Sequence, residues 1–403
     1  MKKIIYLDHN ATTQIRPEVL EAMLPYLKGH YGNASSLYHL GQQARHAIDT
    51  AREKVAALIG AESPQEIVFT AGGSEAINWA IKGTAFALRG KGRHLVTTTL
   101  EHSAALNSCK YLESLGWHVT YVGADWRGRI DPAHIRDALT KDTVLVSVMH
   151  ANNEIGTIEP VTGIAEVCAA NSVALHVDAV QTVGKIPVSV QTLGCRLLSL
   201  AAHKFYGPKG VGALYIRAGT RLHPLLHGGH HERNRRASTE NVAAIAGLGA
   251  AAEIAMKEMK REDKQIRVLR DKLERELLKR IPCVQVNGDV EDRMFNTTNL
   301  SVEAVEGEGL LIGLDMHGIC ASSGSACSSG QTDVSHVLKA IGVPIELAKG
   351  SIRLSLGRDN TAEEIDQVIE ILPAIVERLR NISPLWDDYK KGLRKSAIAK
   401  HAA

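Results

Sequence analysis

A series of short strand-like segments, separated by helix-like stretches, constrains the fold of this chain more than any other feature. The segments are residues 66–70, 94–98, 118–122, 143–148, 173–177 and 211–216. Several, such as 143–148 and 211–216, are almost entirely apolar. A strand with one wet face alternates; an all-apolar strand is buried on both faces, as in a mostly parallel sheet covered by its crossover helices. Helix-like stretches at 44–59 and 74–89 flank the first segment. The alternation predicts a doubly wound α/β domain. At 403 residues the chain exceeds one small core and suits two domains.

After residue 216 the pattern changes. Ile266, Leu269, Leu273, Leu277 and Ile281 recur at spacings of three and four, drawing one apolar stripe along a polar helix. A domain boundary is placed at the start of that helix, near residue 258. Strand-like segments follow at 298–302, around Ile319 and at 351–356, with Cys320 expected to point into the core. A helix should open at Thr361, with Glu364 completing a capping box, and Pro373 should kink or break it. The expected division is a large domain, 15–258, and a smaller α+β domain built from 1–14 and 259–403. The basic tail after Gly392 should fray.

Net charge of +3 with 23% charged residues argues against a nucleic-acid binder. No apolar run approaches the roughly 20 residues that span a bilayer. The apolar stretch after Lys3 is too short for a signal peptide. A cytoplasmic protein with no membrane or nucleic-acid partner is expected. The six cysteines form no C-x-x-C pair, so neither zinc nor disulfides are expected, and five of them read as packed thiols.

Three motifs carry candidate chemistry. Asp178-Ala179-Val180-Gln181 ends the 173–177 segment, and Ala202-His203-Lys204-Phe205-Tyr206-Gly207-Pro208-Lys209-Gly210 follows about one strand and loop later. An aspartate ending a strand and a lysine on a Gly/Pro-rich turn suit pyridoxal 5'-phosphate (PLP) chemistry. Lys204 would join the cofactor as an imine. An ionised Asp178 would hold a proton on the pyridine nitrogen. Gln181 would hydrogen-bond the phenolic oxygen, and His203 flanks the lysine. Singly, such an aspartate is more often a loop cap and such a lysine a surface charge; their combination favours the chemical reading. The turn Ala71-Gly72-Gly73-Ser74-Glu75 follows a strand and opens a helix, so Gly73 and Ser74 should meet the phosphate. Finally, Ser322-Ser323-Gly324-Ser325-Ala326-Cys327-Ser328-Ser329-Gly330 surrounds one cysteine with small polar residues. Cys327 should therefore be an accessible, mobile thiol. His102 follows the 94–98 segment and has a side chain suited to moving protons. The histidines of His227-Gly228-Gly229-His230-His231 match no common zinc spacing, and no metal is expected.

These motifs resemble the NifS/IscS-type cysteine desulfurases, PLP-dependent members of the class V aminotransferase family. The resemblance runs from Leu7-Asp8-His9-Asn10-Ala11-Thr12-Thr13, through His150-Ala151-Asn152-Asn153-Glu154-Ile155-Gly156, to Ser383-Pro384-Leu385-Trp386. It implies the PLP-dependent transferase fold and a homodimer. It also implies that L-cysteine is converted to L-alanine, with sulfur passed to Cys327 as a persulfide. Lys204 and His102 would move the protons, with His102 stacked on the cofactor ring. Asn153 and Arg353 would hold the substrate carboxylate, Arg353 through its planar fork. Arg236-Ala237-Ser238-Thr239-Glu240-Asn241 would reach across the dimer, with Thr239 on the partner's phosphate. An iron–sulfur scaffold protein or another sulfur acceptor would follow, with transient cluster contact at Cys327. Ala201 stands where many members carry a phosphate-binding serine, and Ser238 where glycine is usual. An aminotransferase needs no such cysteine, and a selenocysteine lyase carries a shorter, His-containing motif. A non-catalytic sulfur-trafficking adaptor would not need the Asp178, Lys204, Cys327 and Arg353 set.

Overall fold

The computed structural model describes residues 4–323, 334–393 and 395–398. The strands in chain order are β1 (Ile5–Tyr6), β2 (Ile67–Thr70), β3 (His94–Thr98), β4 (His118–Val122), β5 (Thr143–Met149), β6 (Ala174–Asp178), β7 (Leu197–Ala201) and β8 (Gly212–Ile216). Then come β9 (Val284–Val286), β10 (Thr297–Val302), β11 (Ile319–Cys320) and β12 (Ser351–Ser355). Seven strands form one sheet in the order β2-β8-β7-β6-β5-β3-β4. β8 runs antiparallel to both neighbours, and the other pairs are parallel. Every residue of β2, β3, β5, β7 and β8 is buried. Helices on both faces account for this, and it explains the apolar runs. The edge strand β4 is the more polar and the more exposed.

The smaller part holds the antiparallel sheet β12-β10-β9 and the parallel pair β1-β11. Among the described residues three apolar cores result, and two of them meet one long helix. One includes Ala244 to Met259 of the long helix; the other includes Ile266 to Leu277 of the same helix. That helix runs unbroken over Val242–Arg280. It therefore begins well before the 258 expected from its stripe, and the change of core falls inside it. Its first turns carry small residues because the helix His39–Ile59 packs close: a Cβ at Gly249 would lie 2.7 Å from the Ala51 Cα. Val337, Leu338, Ile341 and Leu347 return to the first core.

Three further expectations change. Ala362–Asn381 is one helix through Pro373, with the Thr361–Glu364 capping box in place. Proline removes one backbone donor there, while Ile369, Leu372, Ile375 and Val376 hold the helix against the core on both sides of it. Residues 395–398 are docked, because Ser396 Oγ and the Ala397 N–H donate to the Glu303 carboxylate at 2.7 and 2.9 Å. On β11 it is Ile319 that points inward, and Cys320 is only half-buried; Cys283 is half-buried too. Among the described residues, no helix is long and apolar enough to cross a membrane.

Candidate active site

The carboxyl end of the parallel strands opens into a cavity of about 350 Å³. Nine of the residues singled out from the sequence line it: Gly73, Ser74, His102, Asn153, Asp178, Gln181, His203, Lys204 and Arg353. The strand order explains the convergence, since β6 and β7 are neighbours and both deliver their last residues to the same rim.

Asp178 is the last residue of β6. Its Oδ1 accepts from the Val180 N–H at 3.0 Å. Burial pushes its carboxyl up to about 6, only partly offset by that N–H and by Lys204. Lys204 closes the single 3-10 turn Ala202–Lys204 directly after β7. Its Nζ donates to the Asn10 and Ala11 carbonyls at 2.7 and 2.8 Å. Gln181 Nε2 donates to the same Asn10 carbonyl at 3.0 Å. His203 Nδ1 lies 3.1 Å from Thr12 Oγ1, and burial with the nearby lysines pushes the ring down to about 4.

His102 caps the helix Ser103–Ser114: its Nδ1 accepts from the Ala104 N–H at 3.1 Å. The remaining nitrogen, Nε2, is the one available for proton exchange. Burial first, then Lys204 and His336, lower its basicity below the ordinary histidine value. The turn at Gly72 and Gly73 begins a helical stretch that continues through a π turn to Leu88. A Cβ at Gly73 would lie 2.9 Å from a Val180 methyl, so glycine is what lets the helix N-terminus approach the turn after Asp178.

Arg353 departs from the simple fork expected of it. Its Nη2 is paired with Asp8 at 2.6 Å and its Nη1 donates to the Asn153 carbonyl at 3.0 Å. Its Nε is buried with no hydrogen-bond partner among the described residues. A carboxylate would therefore meet the remaining N–H groups or displace Asp8. Thr239 is exposed and does not line this cavity. Its segment is tied beside the Gly73 turn by the Arg236–Glu75 ion pair at 2.9 Å. Ser238 has φ 105°, a conformation natural to glycine. Cys327 lies outside the described residues, but the chain on each side of it does not. Ser322 and Arg353 exchange backbone hydrogen bonds. Beyond it, Ser335 Oγ donates to Glu154 at 2.5 Å.

Residues 5–368 match the model of the family Aminotransferase class-V. A protein of Dictyoglomus turgidum described as Cysteine desulfurase IscS is 53% identical over 390 residues, covering 97% of this chain and 99% of that protein. One of Methanosarcina thermophila with the same description is 51% identical over 95% of this chain and 94% of its own length. The chain belongs to the class-V aminotransferase family. Among solved structures, one described as a NifS-like protein aligns with TM-score 0.88 and 39% identity, covering 94% of this chain and all of that one. Another, described as SspA in complex with cysteine, aligns with TM-score 0.77 and 34% identity over 88% and 99%.

As in its family, the cofactor of this chain is PLP, and the fold is that of the PLP-dependent transferases. The cavity fits the group on its own terms. A fully buried carboxylate with no ion pair drawn to it among the described residues suits a pyridinium nitrogen. A lysine amine stands at the mouth of the sheet. A helix N-terminus made approachable by Gly73 suits a phosphate. Three contributors went unnoticed in the sequence reading. Asp8 and Asn10 sit in a motif that carries only the resemblance, and Lys185 stands in none of the motifs. Asn10 is the tie-point: besides its carbonyl, its amide nitrogen donates to the Asn153 carbonyl and Thr297 Oγ1 at 3.1 and 2.8 Å.

Proposed function

We propose that this protein is a cysteine desulfurase that converts L-cysteine to L-alanine and takes the sulfur onto Cys327 as a persulfide. The observation that carries this is the convergence of Lys204, Asp178, Gln181 and Arg353 on one cavity, in a chain about half identical to proteins described as cysteine desulfurases.

PLP, when bound, withdraws electrons from the substrate Cα and so makes its proton labile. Asp178 would hold a proton at the pyridine nitrogen, and Gln181 would donate to the phenolic oxygen. Gly73, Ser74 and His203 would complete the cofactor site. Arg353 and Asn153 would hold the substrate carboxylate. Lys204 Nζ and His102 Nε2 would carry protons to and from the substrate carbon. The Cys327 thiolate would attack the substrate sulfur: a new S–S bond forms, the carbon–sulfur bond breaks, and the carbon takes a proton to leave as alanine. The balance is one thiol and one cysteine giving one persulfide and one alanine. Support for delivery lies in the roots of the Cys327 segment, since Ser322 and Ser335 are fastened to Arg353 and Glu154 beside the cavity.

The same reading includes a cytoplasmic homodimer in which Thr239 completes the partner's phosphate site. It includes an iron–sulfur scaffold protein or another acceptor receiving the sulfur. It divides the chain into two domains, 15–258 and 1–14 with 259–403. Mass spectrometry after mixing with L-cysteine tests the central claim. Cys327→Ser should still bind PLP but gain no sulfur and release no alanine. Cys320→Ser should still form the persulfide. Sulfur found on Cys320, or normal turnover by Cys327→Ser, would refute the assignment.

A further inference from the structure

Lys185 is buried and has no part in the chemistry above. Its Nζ donates to Gln181 Oε1 at 3.0 Å and to Asn10 Oδ1 at 3.3 Å. Among the described residues no carboxylate pairs with it. The charged groups facing it are cations, Lys204 from the turn after β7 and Arg353 from β12, with the imidazoles of His9 and His203 nearby. Burial, with those cations, brings its ammonium down to about 7. An apolar side chain would fill such a place at far less cost in desolvation, so the amine is there for what it bonds.

What it bonds is one end of an amide. The oxygen and nitrogen ends of glutamine are alike in shape and opposite in function. In its protonated form the Lys185 amine can only donate, so it selects Oε1. The Asn10 carbonyl can only accept, so it selects Nε2, and it also receives Lys204 Nζ. The orientation of Gln181 is thus imposed from both ends, independently of any assignment of its atoms. We propose that Lys185 is a positioning residue, holding the Gln181 amide with its N–H₂ end toward Lys204 and the cofactor's phenolic oxygen. The inference rests on the reading that Gln181 donates to that oxygen.

The test uses the PLP-loaded enzyme and the pH midpoint of its visible absorbance, which a merely structural role would not move. A donor to the ring oxygen stabilises its anionic form. Losing the donor should make the cofactor hold its proton more tightly, so the midpoint should rise. Lys185→Met and Gln181→Leu should each raise it by about one pH unit, a roughly tenfold lower proton concentration, the order expected for one hydrogen bond to a charged group. The double variant should shift no further than Gln181→Leu alone. If Gln181→Leu raises the midpoint and Lys185→Met does not, the Lys185 inference is overturned while the Gln181 reading stands. If Gln181→Leu leaves it unmoved, that reading falls and takes the inference with it. Fully additive shifts would make Lys185 a separate charge and also overturn the proposal. Should Lys185→Met not fold, Lys185→Gln replaces it: a head that can donate or accept should give a midpoint between the parent and Gln181→Leu. A value equal to the parent's would count against the proposal.

Discussion

At the scale of single residues, Asp178 shows how the cavity is shaped by a group it has yet to receive. In the cofactor-free protein its folded pKa is about 6, raised by burial from an ordinary 3.8. An acid with a raised pKa binds a proton in the fold that it releases when unfolded. Stability should therefore fall as pH rises from about 4 to about 6, by on the order of 3 kcal/mol, and stay lower above that. Cofactor-free Asp178→Asn should thus be more stable than the parent at pH 8 and flatter between pH 4 and 6, while holding PLP more weakly when loaded. Urea unfolding at several pH values reads the first effect, and cofactor release on dilution reads the second. A parent more stable than Asp178→Asn at pH 8 would contradict the role of burial. Most of the polar residues that line the cavity were legible in the sequence because they stand beside a strand end or a glycine turn. Asp8, Asn10 and Lys185 were not legible, because their roles come from contacts across the fold, such as Asp8 with Arg353, 345 positions apart. A polar residue gives no local sign of such a contact.

Among elements, the long helix Val242–Arg280 carries the most, since two of the three cores pack on it. Lys260 is exposed near the point where one core gives way to the other. Lys260→Pro should destabilise the protein by about 3 kcal/mol or more through the lost backbone hydrogen bond and the ring's clash, whereas Lys260→Ala should be nearly neutral. Differential scanning calorimetry should show a lower, broader transition for the proline variant alone. An unchanged transition would mean the two cores do not depend on the helix's continuity. The strands β3 and β4 matched their sequence segments residue for residue, because their Val- and Thr-rich runs end at polar turns. β7 was expected only as an unbounded strand between Asp178 and Lys204: Leu197 to Ala201 is a short apolar run with no glycine or proline between it and the lysine, and periodicity cannot bound so short a run. The first half of the long helix was missed for the opposite reason. Its Ala and Gly residues serve close packing against Ala51 and its neighbours, and they draw no stripe.

For the whole molecule, the decisive question is whether one chain makes a complete site. Thr239 is exposed and absent from its own chain's cavity, while Gly73 and Ser74 stand at the rim. If a second copy supplies the missing contact, dilution should release PLP in step with dissociation. Thr239→Ala should lower PLP retention several-fold without changing the sedimentation of the concentrated protein. Full cofactor occupancy in a monomer at low concentration would refute the shared site. The tie that Asn10 makes between Lys204 and the smaller part also orders events in time. Residues 5–10 leave the ribosome long before their partners; Asn10 precedes Ser355, whose hydroxyl accepts its N–H, by 345 positions. A nascent chain can finish the seven-stranded sheet once Ile216 has emerged, yet the wall bearing Arg353 is still untranslated. Lys204 is made in the middle of synthesis and the wall bearing Arg353 near the end, so the complete cavity waits for translation to reach β12.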